Sequence, residues 1–433
     1  IVEIKTREFI PKFLLSLEAA LNNHDIYLGN IDQLLDKNIF NPGLLYHKSL
    51  TPTKKRHSLL KKLKRKKFVI ASLDEEHGGI SPNAQSYVKT RYGEKTIKLA
   101  DMIFTWGKFD YDNLSNTYKK YKKKFINSGN PRVDLWREDF QKYYGKRKKE
   151  YVLIASNYNF LFGYKTLLQQ YSQKKEFGYF KRGMPERYYF NRVSKEGILL
   201  EHLIFSLKNL SKKFKSKKFL FRPHPEENIE AWEYIFDDCK NIQVKRHRSL
   251  SEALNKAEIV LHNGCTSGLE SALRKIPTIA YMPAGDMSTG HPIANKVSNI
   301  AKTEKQLIKK LQNIFRNNKK NLFSQEAKKE IKYRYENLGK LPAYKKIVQS
   351  WNKYDNPTLN FENSSFAINK FFLTKRLKKK LSLRPFKNFK FDPFTNYEIS
   401  EIKKKLTKIN PKFEKVSVEI VGDDLLKIYL NNK

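Results

Sequence analysis

Lys218-Phe219-Leu220-Phe221-Arg222-Pro223-His224-Pro225 runs from an apolar triplet into a charge and two prolines, and Glu226 and Glu227 follow. The apolar run has the length and character of a strand buried in a parallel sheet. Arg222 ends it, and Pro223 and Pro225 can continue neither a ladder nor a helix interior. His224 therefore sits just past the carboxyl end of a strand, where open α/β sheets bind ligands. Arg offers a permanent fork of donors, and His gives a hydrogen bond or a proton near neutral pH, so together they suit a phosphate. A strand-ending turn set by the prolines is the plainer alternative.

Working outward, Ala257 to Leu261 is a second apolar run, followed by His262-Asn263-Gly264-Cys265-Thr266-Ser267-Gly268 and a helical pattern from Leu269 to Lys275. A strand, a small polar loop and a helix N-terminus present backbone N–H groups and a favourable dipole to an anion. Thr266 and Ser267 suit either capping or phosphate contact, and Glu270 is placed to reach a ribose hydroxyl. Nearer the start, Phe68 to Leu73 predicts a strand that runs into Asp74, Glu75, Glu76, His77, Gly78 and Gly79. Carboxylates at that position suit a general base better than a surface turn.

The remaining pattern alternates β and α throughout, the signature of an α/β protein with parallel sheets. Ile1–Ile4 predicts a first strand, Arg7–Leu21 a helix and Ile26–Leu28 a strand, a β-α-β start without the GxGxxG of a dinucleotide site. Met102–Trp106, Phe125–Ile126, Tyr151–Ala155, Ile242–Val244 and Pro277–Tyr281 read as further strands. Helices are expected over Ile198–Leu210, Ser249–Lys256, Glu304–Phe315 and Glu326–Lys346. Arg137 to Lys149 reads as a polar linker. The predicted organisation is residues 1–145, 150–325, a returning helix over 326–352, and a basic extension over 353–433 with a hairpin around Gly422-Asp423-Asp424.

A chain of 433 residues has room for two domains. No apolar run approaches the ~20 residues that cross a bilayer. Cys239 and Cys265 have neither disulfide-framework nor zinc spacing. A formal charge of +42 favours polyanions. Its densest runs, Lys54–Lys67 with Leu59, Leu60 and Leu63, and the aromatic Phe371–Phe391, suggest contact with an anionic membrane. A solvated helix face is the simpler reading of the first. Lys, Asn, Ile, Tyr and Phe are abundant enough for codon bias to supply part of the charge. No RRM, KH or helix-turn-helix pattern supports nucleic-acid binding.

With Glu3, Arg7-Glu8 and Gly129-Asn130-Pro131-Arg132-Val133-Asp134, these motifs resemble the GT-B glycosyltransferases of bacterial surface polysaccharides, over about residues 1 to 310. Two of the sites also resemble bacterial sialyltransferases and capsule Kdo transferases. The resemblance implies two Rossmann-like domains facing a central cleft, with an acceptor domain first and a nucleotide-sugar donor domain second. It implies transfer from a CMP-linked keto acid such as Kdo or a nonulosonate to a hydroxyl of a glycan or glycolipid. No cofactor is expected beyond that donor. No metal is expected either, because a departing monophosphate can be met by His and hydroxyls, and no DxD motif is present. The resemblance makes Glu75 or Asp74 the base, with Glu76 and His77 in reserve because His77 interrupts the acid–Gly pattern. It makes His224 the acid for the leaving group. Arg222, Pro225, His262, Asn263, Gly264, Thr266, Ser267 and Glu270 are the expected nucleotide site, and Arg7, Asn130 and Arg132 the expected substrate contacts, with simple pairing to Asp134 the plainer alternative for Arg132. The expected place is the cytoplasm, peripheral to the inner face of the membrane. A CDP-polyol phosphotransferase and a UDP-sugar 2-epimerase share parts of the pattern. A nucleic-acid-binding protein is the non-enzymatic alternative.

Overall fold

The structure, a computed structural model, describes residues 1–30, 35, 39–75, 84–182, 185–246, 249–283, 292–317, 323–338, 341–353, 368, 370–374 and 391–431. Its contacts divide the chain into two units. The first comprises Ile1–Glu76, Arg91–Tyr143 and Arg334–Lys433, and the second His77–Thr90 and Tyr144–Tyr333. Each carries a parallel sheet, as the alternating pattern predicts.

In unit 1, the helix Lys5–Leu21 buries Phe9, Phe13, Leu14 and Leu17 along one face. The segment before it is not the predicted strand. Val2 N–H donates to Gly29 O at 2.8 Å, but Glu3 N–H turns to the Glu8 carboxylate at 3.0 Å, so no ladder continues. Strand β1 (Ile26–Gly29) also lies outside the parallel sheet, so the expected β-α-β opening is absent. That sheet is β2 (Leu44–His47), β3 (Val69–Leu73), β4 (Met102–Thr105) and β5 (Phe125–Asn127), in that order. Strand β2 escaped prediction: four residues, Leu44-Leu45-Tyr46-His47, are too short for a clear period.

Unit 2 holds β6 (Tyr151–Ala155), β7 (Phe219–Arg222), β8 (Ile242–Val244), β9 (Ala257–His262), β10 (Thr278–Tyr281) and β11 (Asn299–Ala301). Their order is β11-β10-β9-β6-β7-β8, all parallel. This is the Rossmann arrangement: the chain starts at β6, builds outward through β7 and β8, then returns to the other side of β6 as β9. Side chains alternate between faces. Val152, Ile154, Phe219, Phe221, Ile259 and Leu261 pack with Trp232, Leu203 and Leu207, while Leu153, Leu220 and Val260 pack with Ala253 and Leu254.

Two sequence expectations give way here. Arg137–Lys149 is not simply a polar linker, because Phe140 and Tyr143 are buried. The helix expected over Glu326–Lys346 is broken into Gln325–Arg334, a 3-10 turn Glu336–Leu338, and Ala343–Trp351 behind Pro342. Pro at the start of that last helix is where its missing N–H costs least. The expected hairpin is present as β12 (Val416–Gly422) and β13 (Leu425–Leu430), and β13 pairs antiparallel with β1. The described part of the C-terminal extension is thus knitted into unit 1. Leu425, Leu426 and Ile428 are fully buried. Ile428→Ala is expected to cost about 2–5 kcal/mol, read as a lowered denaturation midpoint. An unchanged midpoint would mean the hairpin is peripheral to the stability of this unit.

Candidate functional site

The strand order reverses between β6 and β9, and the position outside their carboxyl ends is where open α/β sheets take ligands. Register aligns the ends: Ala155 lies opposite Arg222 on one side and His262 on the other. The loops from β7 and β9, far apart in sequence, therefore leave adjacent ends of one sheet.

On the β9 side, His262 is buried. Its Nδ1 accepts the Gly264 N–H at 2.9 Å, so the ring proton is on Nε2 and donates to Ser298 Oγ at 2.8 Å. Burial lowers its pKa to about 3, which keeps the ring neutral. Here His262 shapes the loop and carries no charge toward a ligand. Gly264 has φ +87°, a left-handed conformation natural to glycine. A Cβ at Gly268 would press into the His262 ring. The helix Thr266–Leu273 begins with Cys265 at its N-cap, and no side chain caps it. Thr266, half-buried, is thus the first helical residue rather than the cap, and the Ser267 hydroxyl bonds the Cys265 sulfur. Asn263 is half-buried in the turn. Glu270 is buried, with its carboxylate on the Ser251 hydroxyl and 3.7 Å from Arg274, a set of contacts internal to the unit.

On the β7 side, His224 is half-buried and Pro225 exposed. His224 Nδ1 accepts the Glu226 N–H at 3.3 Å, so the neutral ring carries its proton on Nε2. The side chain of Arg222 is partly covered at the strand end, and its carbonyl accepts the Ser156 N–H at 3.2 Å. Sequence reasoning passed over the residue that ties this loop down. Glu227 is fully buried, and its carboxylate accepts from Ser156 Oγ at 2.7 Å, from the Tyr158 N–H, and from Trp232 Nε1 at 2.9 Å. Its own N–H donates to His224 O at 2.9 Å. One acid thereby fixes the loop after β6 against the loop after β7. The signal was Glu227 directly before Asn228, the N-cap of the helix Ile229–Ile235.

In unit 1 the acids at the end of β3 differ. Asp74 is buried and held by Arg91 through Nη2 at 2.8 Å and Nε at 3.0 Å, while its carbonyl accepts Trp106 Nε1 at 2.7 Å. Such a bidentate pair is a structural clamp. Glu75 instead faces Lys12 Nζ at 3.1 Å. Lys12 is shared with Glu8 at 2.9 Å, and Arg7 reaches Glu8 at 3.1 Å. Burial would lower the Lys12 pKa, but Glu75 and Glu8 outweigh it and hold it above its ordinary value. Burial likewise pushes up the nearby Tyr46 phenol, and the Glu75 charge adds to this. Lys12 was legible as a charge on an apolar helix face, four residues after Glu8. Glu76 and His77 lie outside the described residues.

Asn130 and Arg132 belong to a different construction. Asn130 caps a short helix through the Arg132 N–H at 2.8 Å and exchanges hydrogen bonds with Asn337, and Arg132 stands 6.0 Å from the Trp136 ring centre. Asp134 accepts from Asn337 at 2.6 Å and from Ala343 and Tyr344 N–H groups at 2.9 Å. These contacts account for the Gly129–Asp134 motif as a latch onto the segment 337–344. Among the described residues no cluster of His, Cys, Asp or Glu could hold a metal ion.

Burial lifts the Glu227 pKa from 4.5 to about 7, against the pull of its hydrogen bonds. An acid whose folded pKa is raised contributes most below its unfolded value, and that contribution is lost as pH rises through the folded value. Thermal midpoints should therefore fall between about pH 5 and 7.5, and Glu227→Gln should flatten that slope. Asp134, raised to about 7 for the same reason, leaves a residual slope. An identical slope in the variant would exclude Glu227 as its source.

The chain matches no protein-family model and no curated protein sequence. Among solved structures it is similar to the UDP-GlcNAc 2-epimerase of Methanocaldococcus jannaschii in complex with UDP-GlcNAc and UDP, at 16% identity and TM-score 0.43, over 75% of this chain and 79% of that one. It is similar to the UDP-GlcNAc 2-epimerase of Neisseria meningitidis bound to UDP-GlcNAc at 14% identity and TM-score 0.43, over 75% and 80%. The wall teichoic acid polymerase TagF is similar at 12% identity and TM-score 0.42, over 66% and 67%. At these identities and TM-scores the likeness lends this chain no activity.

Proposed function

We propose that the chain is a GT-B glycosyltransferase of bacterial surface polysaccharide biosynthesis. In this reading it moves a sugar from a nucleotide donor, a CMP-linked keto acid such as Kdo or a nonulosonate, to a hydroxyl of a glycan or glycolipid. The observation that carries the reading is the uncapped helix N-terminus at Cys265-Thr266 beside the strand-order reversal at β6, with the His224 loop leaving the neighbouring strand. Backbone N–H groups there suit a phosphate. Thr266 and Ser267 add hydroxyls, and His224 offers Nε2–H to the departing oxygen. Glycosyl transfer builds positive charge on the sugar and negative charge on the leaving phosphate, so donors aimed at that phosphate lower the barrier. The base assigned to the acceptor hydroxyl is Glu75 rather than Asp74, because Asp74 is clamped by Arg91 whereas Glu75 is held by a single ammonium.

Two measurements test this. In a thermal-shift panel of CMP, CDP, UDP and GDP, CMP should stabilise most, since a ligand bound only by the folded state raises its stability. Preference for UDP or CDP would move the assignment to an epimerase or a polyol phosphotransferase. In single-turnover transfer, His224→Ala and Glu75→Gln should each lose about 10²–10⁴-fold. Glu75→Gln should leave calorimetric CMP affinity intact, whereas Thr266→Ala and Ser267→Ala should weaken it. Full activity in His224→Ala would overturn the mechanism.

A further inference from the structure

The sequence pointed to Lys54–Lys67 as a membrane surface, but two of its three leucines are spent in the core and Leu59 is half-buried. Leu60 and Leu63 are buried and Lys64 pairs with Asp101 at 2.9 Å, so the helix Lys54–Arg65 faces solvent mainly with charge. Of Phe371–Phe391, residues 375–390 lie outside the described residues, and Phe372 and Phe391 are buried. Leu373 beside them is 61% exposed, but among the described residues most of the exposed large apolar side chains are in unit 2. No side chain of the helix Leu167–Glu176 is buried. In the helix Glu186–Lys213 only Tyr189 and Glu196 are buried before Leu199. Leu168 is 72% exposed, Phe190 55%, Ile198 50% and Phe205 61%. Tyr171 joins the two helices, its ring centre 5.6 Å from Phe190 and 5.3 Å from Phe180. Exposed Lys165, Lys175, Lys181 and Arg187 stand among them. Across residues 165–205, eight Lys or Arg stand against four Glu and no Asp.

We propose that this surface seats unit 2 on an anionic lipid bilayer. Leucine and aromatic side chains enter the headgroup boundary, and the surrounding cations meet acidic headgroups. Charge complementarity selects this occupant. A second copy of a chain carrying +42 would bring like charge against like. A nucleic acid would use the cations and stacking aromatics but leave Leu168 and Ile198 in water. These residues lie on the helices of the β6–β7 connection, and the proposal is independent of the transfer chemistry assigned above because none of them is among Glu75, His224, Thr266 and Ser267.

The test is sedimentation of the full chain with vesicles of phosphatidylglycerol and phosphatidylethanolamine, against phosphatidylcholine alone. Anionic vesicles should bind at least about tenfold better, and part of that binding should persist at about 0.5 M salt, where exposed charges are screened. Leu168→Ser/Phe190→Ser/Phe205→Ser should lose the salt-resistant part with an unchanged melting point. The single variants Leu168→Ser and Phe205→Ser should each weaken it if the triple variant does not fold. Lys175→Glu/Lys181→Glu/Arg187→Glu should lose the preference for anionic lipid. Equal binding to both vesicle types overturns the proposal, as does unchanged binding by the apolar variants. Self-association that the triple variant abolishes, without vesicle binding by the wild type, would assign the surface to a second copy.

Discussion

A parallel sheet leaves its carboxyl-end loops with backbone donors that no strand satisfies, and unit 2 answers this with one buried carboxylate. Glu227 collects the Ser156 hydroxyl, the Tyr158 N–H and the Trp232 indole, while its own N–H holds the His224 carbonyl. Together with the Asn228 N–H on Phe162 O at 2.6 Å and Asn159 Nδ2 on the Glu226 carboxylate at 3.2 Å, it anchors the loop that presents His224 to the segment after β6. Unit 1 uses the same device. Asp134 gathers N–H groups from Asn337, Ala343 and Tyr344, drawing together segments two hundred residues apart. Both acids sit near a pKa of 7 because burial opposes their charge more strongly than these donors support it. A buried acid that is cheap to protonate is a poor source of charge for chemistry and a good staple for backbone.

Glu8 in unit 1 shows the opposite balance. Glu8, Lys12 and Glu75 are all nearly inaccessible, and the Lys12 ammonium lies between the two carboxylates. Burial would raise the Glu8 pKa, but Lys12 and Arg7 outweigh it and hold it below its ordinary value. Removing one member would strand the others, so the set stands or falls together. This makes the end of β3 a charged site set in a low-dielectric surround, unlike the Asp134 latch a few elements away.

How much of this the sequence disclosed depends on period and on distance along the chain. Strands such as Phe219–Arg222 and Ala257–His262 were legible because an apolar run ended in residues that no strand tolerates. The His224 and Thr266 loops followed from those ends. Leu44–His47 was not legible, since four residues carry too little pattern. Ile1–Ile4 misled because alternation there serves a single hydrogen bond to Gly29 before Glu8 captures the next N–H. Asn130 looked like a ligand contact for a related reason: a Gly-Asn-Pro turn is equally suited to capping a helix, and its partner Asn337, over two hundred residues later, is invisible to local pattern.

His262 carries that point one step further. A histidine at the end of a strand, before a glycine and a helix N-terminus, reads as a phosphate ligand because its ordinary pKa allows a positive charge. Buried against Gly268, with Nδ1 spent on Gly264 and Nε2 on Ser298, it has lost both the charge and the free nitrogen that the role requires. His224 keeps a half-open setting one strand pair away, across β6. The two histidines thus differ in setting. His262 fixes the shape of the helix N-terminus as a neutral donor and acceptor, and His224 stands half-buried just past the end of β7. The difference arises from burial rather than from residue type, which is why composition and motif alone gave both the same reading.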